Sequence, residues 1–224
     1  EQLPFAISKW KLPTTLETNL DHRAIALRNV RERAKFRIQE GLVRGFRDFL
    51  YSEGFTEIHT PKIGAKSAEG GANLFRLEYF HRPAVLQQSP QFYKQMMVGV
   101  FECVYEIAPV FRAEKHDTAR HLNEYTSVDF EMGYIENFED IMAMEQEMLR
   151  YTFGRLQETC GAELSLLKAE VPVITEIPRI RFSEAKELVS RVYKRAFSEK
   201  LDFEPEEEKL LCEYVKKTTG SDFV

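Results

Sequence analysis

The sequence predicts an α+β fold, an antiparallel β-sheet flanked by helices. Three observations carry that prediction. Ile38, Leu42, Phe46 and Phe49 recur at helical spacing in a stretch that opens near Val30 and ends near Gly54. Residues 104–114 and 124–132 read as two strands with a polar connection between them, as in an antiparallel hairpin. Further amphipathic helical patterns fill the second half of the chain.

A chain of 224 residues is long enough for one sizeable core, burying about 70% of its unfolded surface. Its 43% hydrophobic and 30% charged content is that of an ordinary globular protein. The formal net charge of -5 excludes a chain that holds nucleic acid by bulk electrostatics. It leaves open a nucleic-acid substrate gripped elsewhere on a larger protein. Cys103, Cys160 and Cys212 are odd in number and far apart. They therefore read as buried thiols in a reducing, cytoplasmic compartment. No apolar run approaches a membrane span, and Glu1 opens no signal-peptide pattern. The absence of an initial Met leads us to expect that the chain's ends are not the native ones.

Taken in order, residues 1–28 read as an extended linker interrupted by Pro4 and Pro13, with Trp10 as a packing anchor. Asn29 is placed to cap the long helix. Residues 55–60 form a strand stopped by Pro61, and SAEGG at 67–71 is a loop whose paired glycines permit unusual torsions. Residues 74–80 and 84–87 suggest a hairpin around His81, Arg82 and Pro83. Ser89 and Pro90 start a helix that carries Gln91, Lys94 and Gln95. A helix after Asn137 runs toward Cys160, with Met144 and Met148 filling core. Helices at 183–196 and 204–217 follow, Pro205 being tolerated in the first turn of the last.

Alternation sends successive strand side chains to opposite faces. Tyr125, Ser127, Asp129 and Glu131 share one face, with Val128, Phe130 and Met132 on the other. On the preceding strand Arg112 and Glu114 share a face with Ala108 and Val110. One side of the hairpin thus gathers an arginine, carboxylates and an aromatic ring. Such a face is costly unless each charge is paired or meets a ligand. On these residues alone, a solvated sheet face laced with salt bridges is an equal alternative.

FRAEKHDTARHLNEYTSVDFEM, residues 111–132, resembles motif 2 of the aspartyl/asparaginyl branch of class II aminoacyl-tRNA synthetases. Residues 40–61, FTEIHTP in particular, resemble motif 1, and QSPQFYKQ at 88–95 resembles that branch's aspartate pocket. The likeness runs from about Leu20 onward and is weaker after Tyr151. It implies that 29–224 is the first part of a class II catalytic core and that 1–28 is the hinge following an anticodon-binding domain. It further implies ATP-dependent activation of L-aspartate to aspartyl-adenylate, followed by transfer to tRNA.

By the same resemblance, Arg112 grips the α-phosphate and the attacking carboxylate, and Ala113 and Glu114 meet the adenine. Arg120, His121 and the Leu122 backbone meet the phosphate tail, and Tyr125 stacks under the adenine. Gln91 and Lys94 read the aspartate ammonium and side-chain carboxylate, Asp129 holds Lys94 or the ammonium, and Glu69 sits on a closing loop. Ala68 stands where relatives often carry Ser or Thr, so a hydroxyl contact is lost. His59 and Tyr105 read as structural, and motif 1 implies a homodimer through residues 30–61. The Gly-rich motif 3 and the acidic magnesium ligands do not appear. The resemblance therefore implies an incomplete catalytic core, inactive by itself, with the Mg2+ ligands beyond Val224. Three alternatives stand beside the aspartyl reading. They are an asparaginyl-tRNA synthetase, a related asparagine synthetase, and a non-catalytic dimeric paralogue.

Overall fold

Side-chain caps set where the first and the longest of the N-terminal helices begin. The structure is a computed structural model describing residues 6–66, 73–114, 122–194 and 202–224. It divides into two compact units, Glu1–Leu167 and Lys168–Val224. In the first, α1 (Leu16–Asp21) starts where Thr15 Oγ1 accepts the Thr18 N–H at 3.2 Å, and α2 (Arg23–Ala26) follows. The lead-in is therefore partly helical rather than wholly extended. One hydroxyl cap starts a helix too short to show periodicity. Trp10 also departs from expectation. It is exposed, and its ring is held by the Arg31 guanidinium 5.0 Å from the centroid.

Helix α3 (Val30–Ser52) begins at Asn29, whose Oδ1 accepts the Arg31 N–H at 3.0 Å. The Asn29 amide donates back to the Ile7 and Lys9 carbonyls, so one buried residue both caps α3 and ties down the lead-in. The chain leaves α3 through Gly54 at φ 81°, a left-handed turn suited to glycine. Strand β1 (Thr56–Glu57) is shorter than the sequence pattern, and β2 (Ile63–Gly64) is a pairing too short to predict. Next comes the hairpin of β3 (Arg76–Tyr79) and β4 (Arg82–Leu86), which turns at Phe80 and His81, both at positive φ. Then α4 (Gln91–Phe101) leads into β5 (Cys103–Phe111) and β6 (Glu124–Met132). The long α5 (Phe138–Thr159) opens with a capping box between Asn137 and Asp140, and α6 (Gly161–Leu167) closes the unit.

The described residues form two small sheets, ordered β1-β5-β6 and β2-β4-β3. All their pairings are antiparallel except β1 against β5, which is parallel. In the first sheet the apolar face of the β5–β6 hairpin meets the core. Tyr105, Ile107, Phe130 and Met132 pack with Phe49, Leu50 and Phe55 and with Met144 and Met148 of α5. The Tyr105 hydroxyl finds a partner in Glu57 at 3.1 Å, and Arg47 reaches the same carboxylate. Burial, with the Glu57 hydrogen bond second, pushes the phenol up to about 12. Burial alone would raise the Glu57 carboxyl. The hydrogen bonds from Arg47 and Tyr105 outweigh it and hold the carboxyl below its usual range. Helices α3 and α5 cross closely at Gly45, where an added Cβ would lie 2.8 Å from Thr152 Cγ2.

The second unit holds α7 (Phe182–Tyr193) and α8 (Pro205–Thr219), joined through Ala185, Val189, Leu211 and Val215. Its buried Lys186 ammonium contacts Glu207 at 2.7 Å and the Asp202 carbonyl at 3.1 Å. The thiols are not uniformly buried: Cys160 is buried, Cys103 half-buried and Cys212 exposed. Cys212 lies on α8 one residue past buried Leu211, where the helical turn carries a side chain away from the core stripe. Among the described residues no helix is long and apolar enough to cross a membrane.

Candidate active site

The face of the β5–β6 hairpin opposite the core carries the polar residues. Register pairs Glu106 with Asp129, Val104 with Glu131, and Val110 with Tyr125, so these side chains share one side. Helix α4 lies on that side. The Ser89 hydroxyl accepts the Gln91 N–H at 3.2 Å at its start, and Pro90 stands at the N-cap, one residue ahead of the first turn expected of it, where an N–H is not needed. This start puts Gln91 and Lys94 one turn apart. The buried Lys94 ammonium is 3.2 Å from Asp129 Oδ1 and 3.5 Å from Glu131 Oε2.

The aspartate-side residues expected from the sequence are thus together: Gln91 half-buried at the helix start, Lys94 buried, Asp129 against it. Glu131 completes the group. It has the same strand period as Asp129, and that period is the signal that marks it. Lys94 donates a hydrogen bond to Asp129 and lies within ion-pair distance of Glu131, so one ammonium serves both carboxylates.

The residues expected on the nucleotide side lie at the hairpin's open end. Arg112 N–H donates to the Asn123 carbonyl at 3.0 Å, carrying the pairing one step beyond β5. Ala113 N–H donates to the Asn73 carbonyl at 3.0 Å, and Glu114 N–H to the Arg112 carbonyl at 2.8 Å. The backbone thus turns tightly just after Arg112. Arg112, Ala113 and Glu114 are half-buried, as is Tyr125, while Leu122 is exposed. Tyr125 lies across from Val110, on the Asp129 side of the sheet and the Arg112 end of the hairpin. Glu69, Arg120 and His121 fall outside the described residues, as do His116 and Asp117.

Two further charged residues, not singled out by sequence, stand beside the group. Glu106 is buried, and its carboxylate takes the Lys62 ammonium at 2.6 Å and the Thr60 hydroxyl at 2.8 Å. Opposite Asp129, it places like charges across the strands, an unfavourable pairing unless each has its own cation. Lys62 and Lys94 serve that need. Lys62 and Glu106 are 44 residues apart in the chain, so no local pattern announces the pair.

Among the described residues no group of three or more His, Cys, Asp or Glu side chains could hold a metal ion. What the site can do is bind. It has an ammonium for a carboxylate, carboxylates for an ammonium, and a guanidinium at the far end for an oxyanion.

Comparison with known proteins identifies the scaffold. The family model for class II tRNA synthetases (D, K and N) matches residues 15–224. The chain is 50% identical over 225 residues to the aspartate–tRNA(Asp/Asn) ligase of Deinococcus radiodurans, covering all of this chain and 52% of that protein. It is 44% identical to the aspartate–tRNA(Asp) ligase of Pyrococcus horikoshii, covering 95% of this chain and 49% of the relative. Among solved structures, the asparaginyl-tRNA synthetase of Pyrococcus horikoshii with asparaginyl-adenylate matches at TM-score 0.82 and 30% identity, covering 90% of this chain and 47% of that one. The aspartyl-tRNA synthetase of Entamoeba histolytica matches at TM-score 0.79 and 33% identity, covering 95% and 41%. The chain spans about half the length of the curated relatives it matches. A polar hairpin face read by a buried lysine, on a scaffold shared with these enzymes, places the chain in the family of class II tRNA synthetases (D, K and N).

Proposed function

We propose that the full-length protein is a cytoplasmic aspartate–tRNA ligase, and that the described site forms the aspartate pocket and part of the ATP pocket. The reading rests on one observation above the others: Lys94 is buried on α4 and held between Asp129 and Glu131. A fixed ammonium suits the side-chain carboxylate of aspartate, and the neutral amide of asparagine would leave that charge partly unmatched. Asp129, with Gln91 beside it, would receive the substrate's α-ammonium.

In the first step an oxygen of the aspartate α-carboxylate attacks the α-phosphorus of ATP. The bond to the bridging oxygen breaks, pyrophosphate leaves, and a mixed anhydride forms. In the second step a terminal ribose hydroxyl of tRNA attacks the anhydride carbonyl, giving up its proton as AMP departs. No protein nucleophile is needed, so the chain's share is placement and charge stabilisation. Arg112 would span the α-phosphate and the attacking carboxylate, two oxyanions that a planar cation can bring together. Ala113, Glu114 and Tyr125 would hold the adenine. Leu122, with Arg120 and His121, would hold the phosphate tail, and Glu69 would act from the loop over aspartate. Magnesium accompanies ATP in this chemistry. Among the described residues no group of three or more His, Cys, Asp or Glu side chains is placed to hold it. The protein would work as a homodimer through residues 30–61, where Val30 and Phe36 of α3 remain exposed in the single chain.

The test is ATP–pyrophosphate exchange by the full-length protein with aspartate, asparagine or lysine as sole amino acid. Exchange with aspartate in clear preference to the other two supports the proposal. Preference for asparagine would transfer the protein to the asparaginyl branch, and no exchange with any would favour a non-catalytic paralogue.

A further inference from the structure

We infer that Glu106, which touches no expected substrate position, is a positioning residue that sets the two halves of the site relative to one another. The inference rests on the aspartate–tRNA ligase reading. Glu106 is 2% exposed in the middle of β5. Its carboxylate accepts from the Thr60 N–H at 2.6 Å, the Thr60 hydroxyl at 2.8 Å and the Lys62 ammonium at 2.6 Å. Lys62 also donates to the Thr60 hydroxyl at 3.0 Å, closing the cluster on itself. Three donors occupy most of the carboxylate's acceptor capacity. Glu106 therefore acts through the segment it holds.

That segment connects to both half-sites. The Lys62 carbonyl accepts the Gln87 N–H at 2.9 Å, and the Gln87 carbonyl accepts the Phe111 N–H at 3.0 Å. Starting on β5 at Glu106, the connections run through Lys62 and Gln87 and return to β5 at Phe111, the residue before Arg112. From Gln87 the chain continues through buried Gln88, Ser89 and Pro90 into α4, which carries Gln91 and Lys94. The Gln88 amide donates to the Asn73 carbonyl at 3.1 Å, the same carbonyl that takes the Ala113 N–H. The arginine end and the lysine helix thus hang from one junction, which Glu106 pins to the sheet. The Gln87 side-chain amide also reaches this segment, donating to the Lys66 carbonyl at 3.0 Å beside Gly64.

A buried ion pair is a poor means of gaining stability, because removing two ions from water offsets much of their attraction. Its value here is directional: three short bonds fix the Thr60–Lys62 segment more narrowly than apolar packing would. For a reaction that joins two bound substrates, relative placement governs the rate after binding.

The experiment compares full-length wild-type protein with Glu106→Gln and Thr60→Val in ATP–pyrophosphate exchange, with active sites titrated by the pyrophosphate burst. Glu106→Gln keeps side-chain volume and removes the charge facing Lys62. Its kcat per titrated site should fall by about tenfold or more while KM for ATP and for aspartate each stay within about threefold. Thr60→Val deletes one of the three bonds and should show a smaller fall of the same kind; it also serves if Glu106→Gln does not fold. Loss of active sites with normal kcat in those remaining would reduce Glu106 to a folding residue and overturn the inference. So would a rise confined to the aspartate KM, which would make Glu106 part of amino-acid recognition. A wild-type protein inactive with aspartate would instead sink the functional proposal itself.

Discussion

Replacing Lys94 with leucine should abolish most aspartate activation, and the structure sets the scale. Lys94 is 5% exposed, with Asp129 at 3.2 Å and Glu131 at 3.5 Å. The substitution deletes the ammonium that would meet the substrate carboxylate. It also leaves two carboxylates facing an apolar side chain with their shared cation gone. Removing one partner of a buried charge-assisted contact costs about 2–5 kcal/mol. At about 1.4 kcal/mol per decade, that is roughly thirtyfold to a few thousandfold in kcat/KM for aspartate. The assay is exchange as a function of aspartate concentration, normalised to titrated active sites so that misfolded protein does not count. ATP affinity, measured in parallel, should change little, because the residues proposed to hold the nucleotide sit at the other end of the hairpin. Unchanged kcat/KM for aspartate would refute the assignment of Lys94 as the carboxylate reader.

Three other outcomes are expected. Sedimentation at micromolar concentration should show a two-fold dimer of the full-length protein, and a Phe36→Glu variant should shift it toward monomer; a monomeric wild type would contradict the proposed interface. Gly45→Val should destabilise the α3–α5 crossing by about 1–3 kcal/mol through overpacking against Thr152, read as a lowered Tm; an unchanged or raised Tm would contradict the close approach. Because the Glu57 carboxyl is held below its ordinary value of 4.5, its stabilising contribution is present above that value and lost as pH falls through the lower folded value. Glu57→Gln should therefore flatten the acid limb of stability against pH below about 4.5, and equal acid limbs in both proteins would show that the pairing with Arg47 and Tyr105 carries no such linkage.

Elements with a local signature were legible before the structure. The apolar stripe of α3, its Asn29 cap and the alternation of β6 each state their conformation within a few residues. The register of β5 on β6 follows from a polar face that must stay together, and so Asp129 and Glu131 fall on one side. What stayed hidden depends on distant partners. Strand β2 exists because β4 pairs with it, its two residues carrying no pattern of their own. Trp10 is exposed because Arg31, not the core, receives its ring. The Lys62–Glu106 pair could not be read from spacing, since a lysine after a proline and a glutamate in a strand look alike in many folds. The roles of Arg112 and Lys94 came from family resemblance; the residues themselves indicated only a charged face in need of partners.

The most direct test of the account is aminoacylation of total tRNA by the full-length protein with labelled aspartate or labelled asparagine. The account predicts acid-precipitable label with aspartate, dependent on ATP and lost in the Lys94→Leu variant. Label from asparagine and none from aspartate would contradict it.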